Sequence, residues 1–432
     1  MNRLFIILTA ILVLLTCLSA CGSDNDTENA QTSAPETQDE TVNGEATEDA
    51  TETQEETQEE TQADPIYTKR PDWPDESKYS FFKVFEAPDV APRDAVLNYM
   101  REMATVEWTP TVQWTTLHKD PAENSRLNVN HTYEVGKKYY GIPYANTGSS
   151  LDGFLSVLED GQFTPNSPYY TELIGNHCSS SMDRAFEQIV DINGYGGILP
   201  EWNSEQLMYP VGSGIEAPEG WTHDTRLIAE HSGKDKMFAG YAALDKGDIL
   251  YYTAPSGGHT RMVSGVNIVK NVTGLVNYDK STVSVIEQTN AWYTEEKNTT
   301  WFVDKKYTFR TLYEKAFIPV TLKVYHDEDF VIPDAYIALE GEITPEMIKK
   351  NYIPGTISSN FTFSHIRATV RDQSGNIVLQ DAVYQNFNKK SYVLRQLYLD
   401  VKSLPAGNYT FTLHAGIARG GCDVCSFEFT VE

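Results

Sequence analysis

The chain has 432 residues, a formal net charge of −27, 40% hydrophobic and 12% aromatic residues, and five cysteines. That apolar content can fill a core and excludes a wholly disordered protein, while five cysteines are too few for a disulfide scaffold of this length. So acidic a balance also argues against nucleic acid as the main partner, because phosphate contacts need Lys and Arg. Length alone predicts two or three domains.

The first 64 residues read as targeting and tether. Asn2-Arg3 gives a positive start, and Leu4 to Ala20 is an apolar run interrupted mainly by Thr and Ser. It is short for a membrane span and right for a signal peptide. Leu18-Ser19-Ala20-Cys21 resembles the lipobox of bacterial lipoproteins, which implies removal of residues 1–20 and a lipid on Cys21. From Gly22 to Asp64 there are fifteen Asp or Glu and no Lys or Arg. No apolar face exists there at any period, so 21–64 is expected to be a disordered, self-repelling linker.

A folded part is expected from 65. Asp89 to Ala104 predicts a helix, with Pro92 in its first turn and Val96, Met100, Met103 and Ala104 at helical spacing. A second helix is expected from Cys178, where Met182, Ala185, Phe186, Ile189 and Val190 form one stripe, stopping at Asn193-Gly194. Strands follow at 248–252, from His259 to Val269, and at 282–289, with Pro255-Ser256-Gly257-Gly258 as the turn between the first two. Helix first and then an antiparallel meander predicts an α+β domain over 65–318. Beyond 319, short strand candidates at 320–325, 361–371, 377–383, 392–401, 409–414 and 425–431 alternate with turn residues and predict a β-sandwich. Leu404-Pro405-Ala406-Gly407-Asn408-Tyr409 resembles the late hairpin of bacterial immunoglobulin-like modules.

Once Cys17 and Cys21 are set aside, three cysteines remain. Cys422 and Cys425, as Cys-Asp-Val-Cys outside the cell, suggest a local disulfide; a zinc site there would need two further ligands, and none is evident in the spacing. Cys178 differs. It stands where the helical stripe begins, and a thiol at a helix N-terminus is biased towards thiolate, the nucleophile of acyl transfer. His259 opens a strand directly after Gly257-Gly258 and suits the role of base. A third group must orient the imidazole, and Glu287 and Gln288 end the next strand; adjacent strand residues face opposite sides, so only one of them can point at His259.

This order resembles the NlpC-type papain-like cell-wall hydrolases and the related CHAP-like amidases. The resemblance is carried by Cys178-Ser179-Ser180 at a helix start, Gly247-Asp248-Ile249-Leu250 entering a strand, Gly258-His259 at the next, and Gly141-Ile142-Pro143-Tyr144 upstream. It covers roughly 92–318. His177 stands where the family has an acidic residue, and about thirty residues separate Tyr144 from Cys178, more than the family's usual interval. The resemblance implies a papain-like domain with Cys178 as nucleophile, His259 as base, Gln288 or Glu287 as the orienting group and Tyr144 as a substrate or oxyanion contact. His223 and His231, in the stretch from 194 to 246, are rival bases.

The resulting expectation is a lipid-anchored cysteine hydrolase on the outer face of a bacterial membrane. It would cleave an amide in peptidoglycan through a thioester, and that reaction requires no metal or organic cofactor. The alternative is a non-catalytic surface lipoprotein that binds wall fragments or an envelope partner. Without leader and linker, the body keeps 33 basic against 46 acidic residues, a net −13.

Overall fold

The computed structural model describes residues 73–120, 129–192, 207–384 and 389–432. The leader, Cys21 and the linker expected at 21–64 lie outside them. Helix makes up 21% and strand 35% of the structure, so sheets dominate a mixed α+β fold. No helix among the described residues is long and apolar enough to cross a membrane.

The first core is built on a six-stranded antiparallel sheet. Its order is Trp301–Thr308, Thr282–Gln288, Gly257–Asn267, Ile249–Ala254, Ile318–Leu322 and Met208–Pro210. Two helices, Pro92–Thr105 and Cys178–Phe186, pack on each other and on this sheet. Both follow from sequence. Pro92 occupies the first turn, where a missing N–H costs nothing, and Val96, Met100, Met103 and Ala104 are all buried. The stripe from Met182 to Val190 is buried too, but the helix ends at Phe186, short of the stop expected at Asn193-Gly194; Met182, Ala185 and Phe186 fix its rotation and therefore the direction of its first residue.

The second core lies between two four-stranded sheets whose paired strands all run antiparallel. One orders Phe81–Phe85, Ala335–Glu340, Thr356–Ser359 and Ser391–Val393; the other orders Ile377–Val383, Phe363–Arg371, Gly407–Ile417 and Gly420–Val431. Residues of both sheets share one apolar cluster, including Ile337, Ile357, Phe363, Phe411 and Leu413.

The chain laces these two cores together, and Ser77 to Glu432 belong to one compact unit. The strand expected at 320–325 runs over Ile318–Leu322 and joins the six-stranded sheet, because its backbone pairs with Ile249–Ala254 and its side chains are all buried. A boundary at 318/319 therefore cuts a strand. In the other direction, Phe81–Phe85 leaves the N-terminal half to pair with Ala335–Glu340. The strand expected at 392–401 is short, Ser391–Val393, and gives way to two 3-10 turns, Leu394–Gln396 and Val401–Ser403.

Cys422 and Cys425 are free thiols, not the disulfide expected from their spacing. Both lie within the single strand Gly420–Val431. Three residues along a strand span about 10 Å, beyond the reach of a disulfide. Burial pushes Cys422 up to about 12 and Cys425 up to about 11, with carboxylates adding to the effect, so neither is a reactive thiolate at neutral pH.

Candidate active site

Cys178 is the first residue of its helix and is 1% exposed. The backbone before it is held tightly. Asn176 N–H donates to Pro143 O at 2.9 Å, Ala145 N–H donates to Asn176 O at 2.7 Å, and Ser149 N–H donates to Gly175 O at 2.8 Å. A side chain at Gly175 would place its Cβ 2.4 Å from Pro143 O, so the close approach of these two segments requires glycine. At the helix start, His177 N–H donates to Ser180 Oγ at 3.0 Å, and Arg184 Nε–H donates to Gly148 O at 2.8 Å. The thiol is thus fixed from both sides.

His259 enters from the neighbouring strand, opposite Tyr252, and its side chain is hydrogen-bonded to that of Cys178. Its Nε2 lies 2.6 Å from Glu287 Oε2, which leaves Nδ1 for the sulfur. Glu287 is fully buried yet has several partners. Arg261 Nε–H donates to Oε2 at 2.7 Å, the Tyr307 hydroxyl donates to Oε1, and Lys305 Nζ lies 3.9 Å from Oε1. The guanidinium of Arg261 lies between the rings of Tyr307 and Phe317, 3.9 and 4.0 Å from their centroids.

Electrostatics follow from that wiring. Burial opposes a charge on Glu287, but Arg261, His259 and Lys305 outweigh it and hold the carboxyl well below the usual carboxylate range. Burial likewise opposes a charge on His259. Its hydrogen bonds to Cys178 and Glu287, with the charges of both, lift the imidazole to about 9. At neutral pH the histidine is therefore cationic beside the thiol, between the Cys178 sulfur and a carboxylate that holds its charge.

Of the two residues expected to compete for the orienting role, Glu287 is the one that bonds His259, and Gln288 does not. Strand alternation turns Gln288 to the other side, where its Nε2 donates to Ile142 O at 2.8 Å and to Thr300 Oγ1 at 3.3 Å. A register shift between Val285 and Glu287 marks this strand end, the kind of irregularity that re-aims a side chain.

Tyr144 also departs from its expected role. Its ring is fully buried, stacked on Tyr170 and edge-on to His131, so it offers no surface to a substrate. Its backbone bridges to Asn176, two residues before Cys178. The rival histidines stand elsewhere: His223 packs against Trp221, and His231 is in the last turn of the helix Thr225–Ser232.

The sequence did not single out Arg261, Lys305, Tyr307 or Asp183. Arg261 carried a signal, since at two residues from His259 it must share its strand face. Asp183 is buried on the same helix as Cys178; burial first, then the charge of Glu187 and the neighbouring Cys178, push its carboxyl well above the usual carboxylate range against the pull of Arg184. The Gly247-Asp248 pair is structural. Asp248 accepts from Arg93 Nη1 at 2.7 Å and from Thr321 Oγ1 at 2.6 Å, tying the helix Pro92–Thr105 to two strands.

No protein-family model matches the chain, and no curated protein matches it in sequence.

Proposed function

We propose that the chain is an extracellular, lipid-anchored cysteine hydrolase of papain-like type, with an immunoglobulin-like sandwich behind it, acting on an amide bond of peptidoglycan. The observation that carries this reading is the relay from Cys178 to His259 to Glu287, in which each side chain bonds the next. The Cys178 sulfur attacks the amide carbonyl, with the amide of Cys178 at the helix start as oxyanion donor. The His259 imidazolium gives its proton to the departing amine as the C–N bond breaks, leaving a thioester. Neutral His259 then takes a proton from water, the hydroxide adds to the thioester, and release of the acid restores thiolate and imidazolium. Glu287 stays ionised throughout and holds the ring. The sandwich would bind wall polymer or position the site.

One observation favours the non-catalytic alternative, a surface lipoprotein that binds wall fragments or an envelope partner: Cys178 is 1% exposed and the His259 side chain 12%. Incubation of the mature chain with purified peptidoglycan, followed by mass spectrometry of soluble products, separates the two. The hydrolase reading expects new carboxyl and amine ends that Cys178→Ala does not produce. A correctly folded wild-type protein that binds the polymer but releases nothing would establish the alternative.

A further inference from the structure

A second cluster of histidines lies away from Cys178, where the short helix Leu151–Leu155 meets the strands Phe363–Arg371 and Gly407–Ile417. Asp152, His365 and His414 each direct one ligand-type atom inwards, and those three atoms lie within 4.8 Å of one another. His414 Nε2 is 3.4 Å and His365 Nε2 is 3.7 Å from the same oxygen, Asp152 Oδ2. His365 is 1% exposed, and its Nε2 is buried with no hydrogen-bond partner among the described residues. Leaving such an atom unmatched is costly unless something fills the gap.

The far side of each ring is already occupied. His414 Nδ1 is 2.9 Å from Asp423 Oδ1. His365 Nδ1 is 3.0 Å from Ser364 Oγ, which is itself 2.9 Å from Ser150 Oγ. With Nδ1–H donating outwards on both rings, both Nε2 atoms present lone pairs to the Asp152 carboxylate. This is the wiring by which outer partners orient metal-ligating histidines. The floor beneath is glycine. A Cβ at Gly421 would sit 2.1 Å from Asp152 Oδ2, and one at Gly416 would sit 2.2 Å from His365 Cε1.

We propose that Asp152, His365 and His414 form a three-ligand zinc site that fastens the helix Leu151–Leu155 to the second sheet of the sandwich. Two imidazoles and a carboxylate are a donor set for a tetrahedral divalent ion of borderline softness, with water as the fourth ligand. Tetrahedral bonds of about 2.0–2.1 Å put ligand atoms roughly 3.3 Å apart. The Asp152 edges, at 3.4 and 3.7 Å, need contract only slightly to reach that spacing, while the imidazole–imidazole edge, within 4.8 Å, must close further.

The test uses the mature chain carrying Cys178→Ser, which removes the reactive thiol as a competing ligand. Zinc is titrated against a chromogenic chelator, bound metal is counted, and cobalt is substituted for its spectrum. The expected result is one ion per chain, a rise in thermal midpoint with zinc, and a cobalt band lacking thiolate charge transfer. Asp152→Asn, at a side chain that is 27% exposed, should keep the fold by circular dichroism and weaken zinc by more than about 100-fold, and Asp423→Ala should weaken it by about 10–100-fold. No zinc held against the chelator, an affinity unchanged in folded Asp152→Asn, or a cobalt spectrum dominated by thiolate would each overturn the assignment.

Discussion

The molecule holds two buried carboxylate–histidine arrangements with opposite outcomes. At the candidate active site, His259 is lifted to about 9; at the seam between the cores, His365 is driven down to about 3. Burial disfavours a charged imidazole in both places and is the first cause in each. The carboxylates decide the difference. Glu287 is saturated by Arg261, Tyr307 and Lys305, so its charge is permanent, and a single histidine receives its whole benefit. Asp152 is shared by two histidines, which repel each other when charged. His414 gains from Asp152 and Asp423 and is raised despite burial, while His365 loses. Burial lowers each imidazole alike, and what separates the two sites is how firmly each carboxylate is held and how many histidines draw on it.

Breaking the anchored carboxylate should have the largest effect. Glu287→Gln leaves Arg261 buried without its counterion, and is expected to cost about 3–5 kcal/mol in urea unfolding. It also removes the charge that holds His259, so turnover of any amide substrate should fall by about 10³–10⁴. If that variant kept wild-type turnover, Glu287 would have no part in the relay.

The next prediction concerns pH and sharpens the contrast in sign. Because the folded pKa of His259 lies above its ordinary 6.5, its stabilisation is complete below pH 6.5 and is lost as pH rises through about 9. His365 works in the other direction. Its folded pKa lies below 6.5, so stability falls as pH drops from 6.5 towards 3. Denaturant unfolding across pH 4–10 should show both limbs, and Glu287→Gln should flatten the alkaline limb while an acid limb persists. The alkaline limb of activity should lie near 9 for the same reason, and a limb near 6.5 would contradict the ion-pair wiring.

At the seam, Asp152→Asn in metal-free protein should cost less, about 1–2 kcal/mol, because its carboxylate is partly solvated. It should also lower the titration midpoint of His414, read by NMR of the ring protons; an unmoved midpoint would show that Asp423 alone sets it. The smallest catalytic effect is expected for Gln288→Ala. Loss of the donor to Ile142 O should cost about 1–3 kcal/mol of stability. Turnover per folded molecule and its pH profile should stay within about twofold, since the side chain faces away from His259.

The candidate site was more legible than the frame around it. Cys178 and His259 stood out because a buried stripe fixed one helix and a glycine turn fixed the start of one strand. The choice between Glu287 and Gln288 needed the phase of the strand relative to His259, which alternation constrains but does not assign. Strands were harder to place. Trp301–Thr308 carries Asp304, Lys305 and Lys306, and its Lys305 turns towards a buried carboxylate, so hydrophobic alternation never showed it. Phe81–Phe85 is short, interrupted by Lys83, and paired with residues some 250 positions later. Ile318–Leu322 was visible as a strand, but only backbone pairing shows which core it serves. The seam triad was invisible because its ligands come from three separate elements with no motif spacing.

The path of Phe81–Phe85 has a mechanical consequence. Tension pulling on the chain from its N-terminal side reaches this strand first. It lies at the edge of its sheet, held along one side only, with Phe81 opposite Leu339 and Phe85 opposite Ala335. Pulled from its leading end, such a strand peels one hydrogen-bonded pair at a time. Those residues are drawn out before any load arrives at the helix Pro92–Thr105 or the sheet that carries His259 and Glu287.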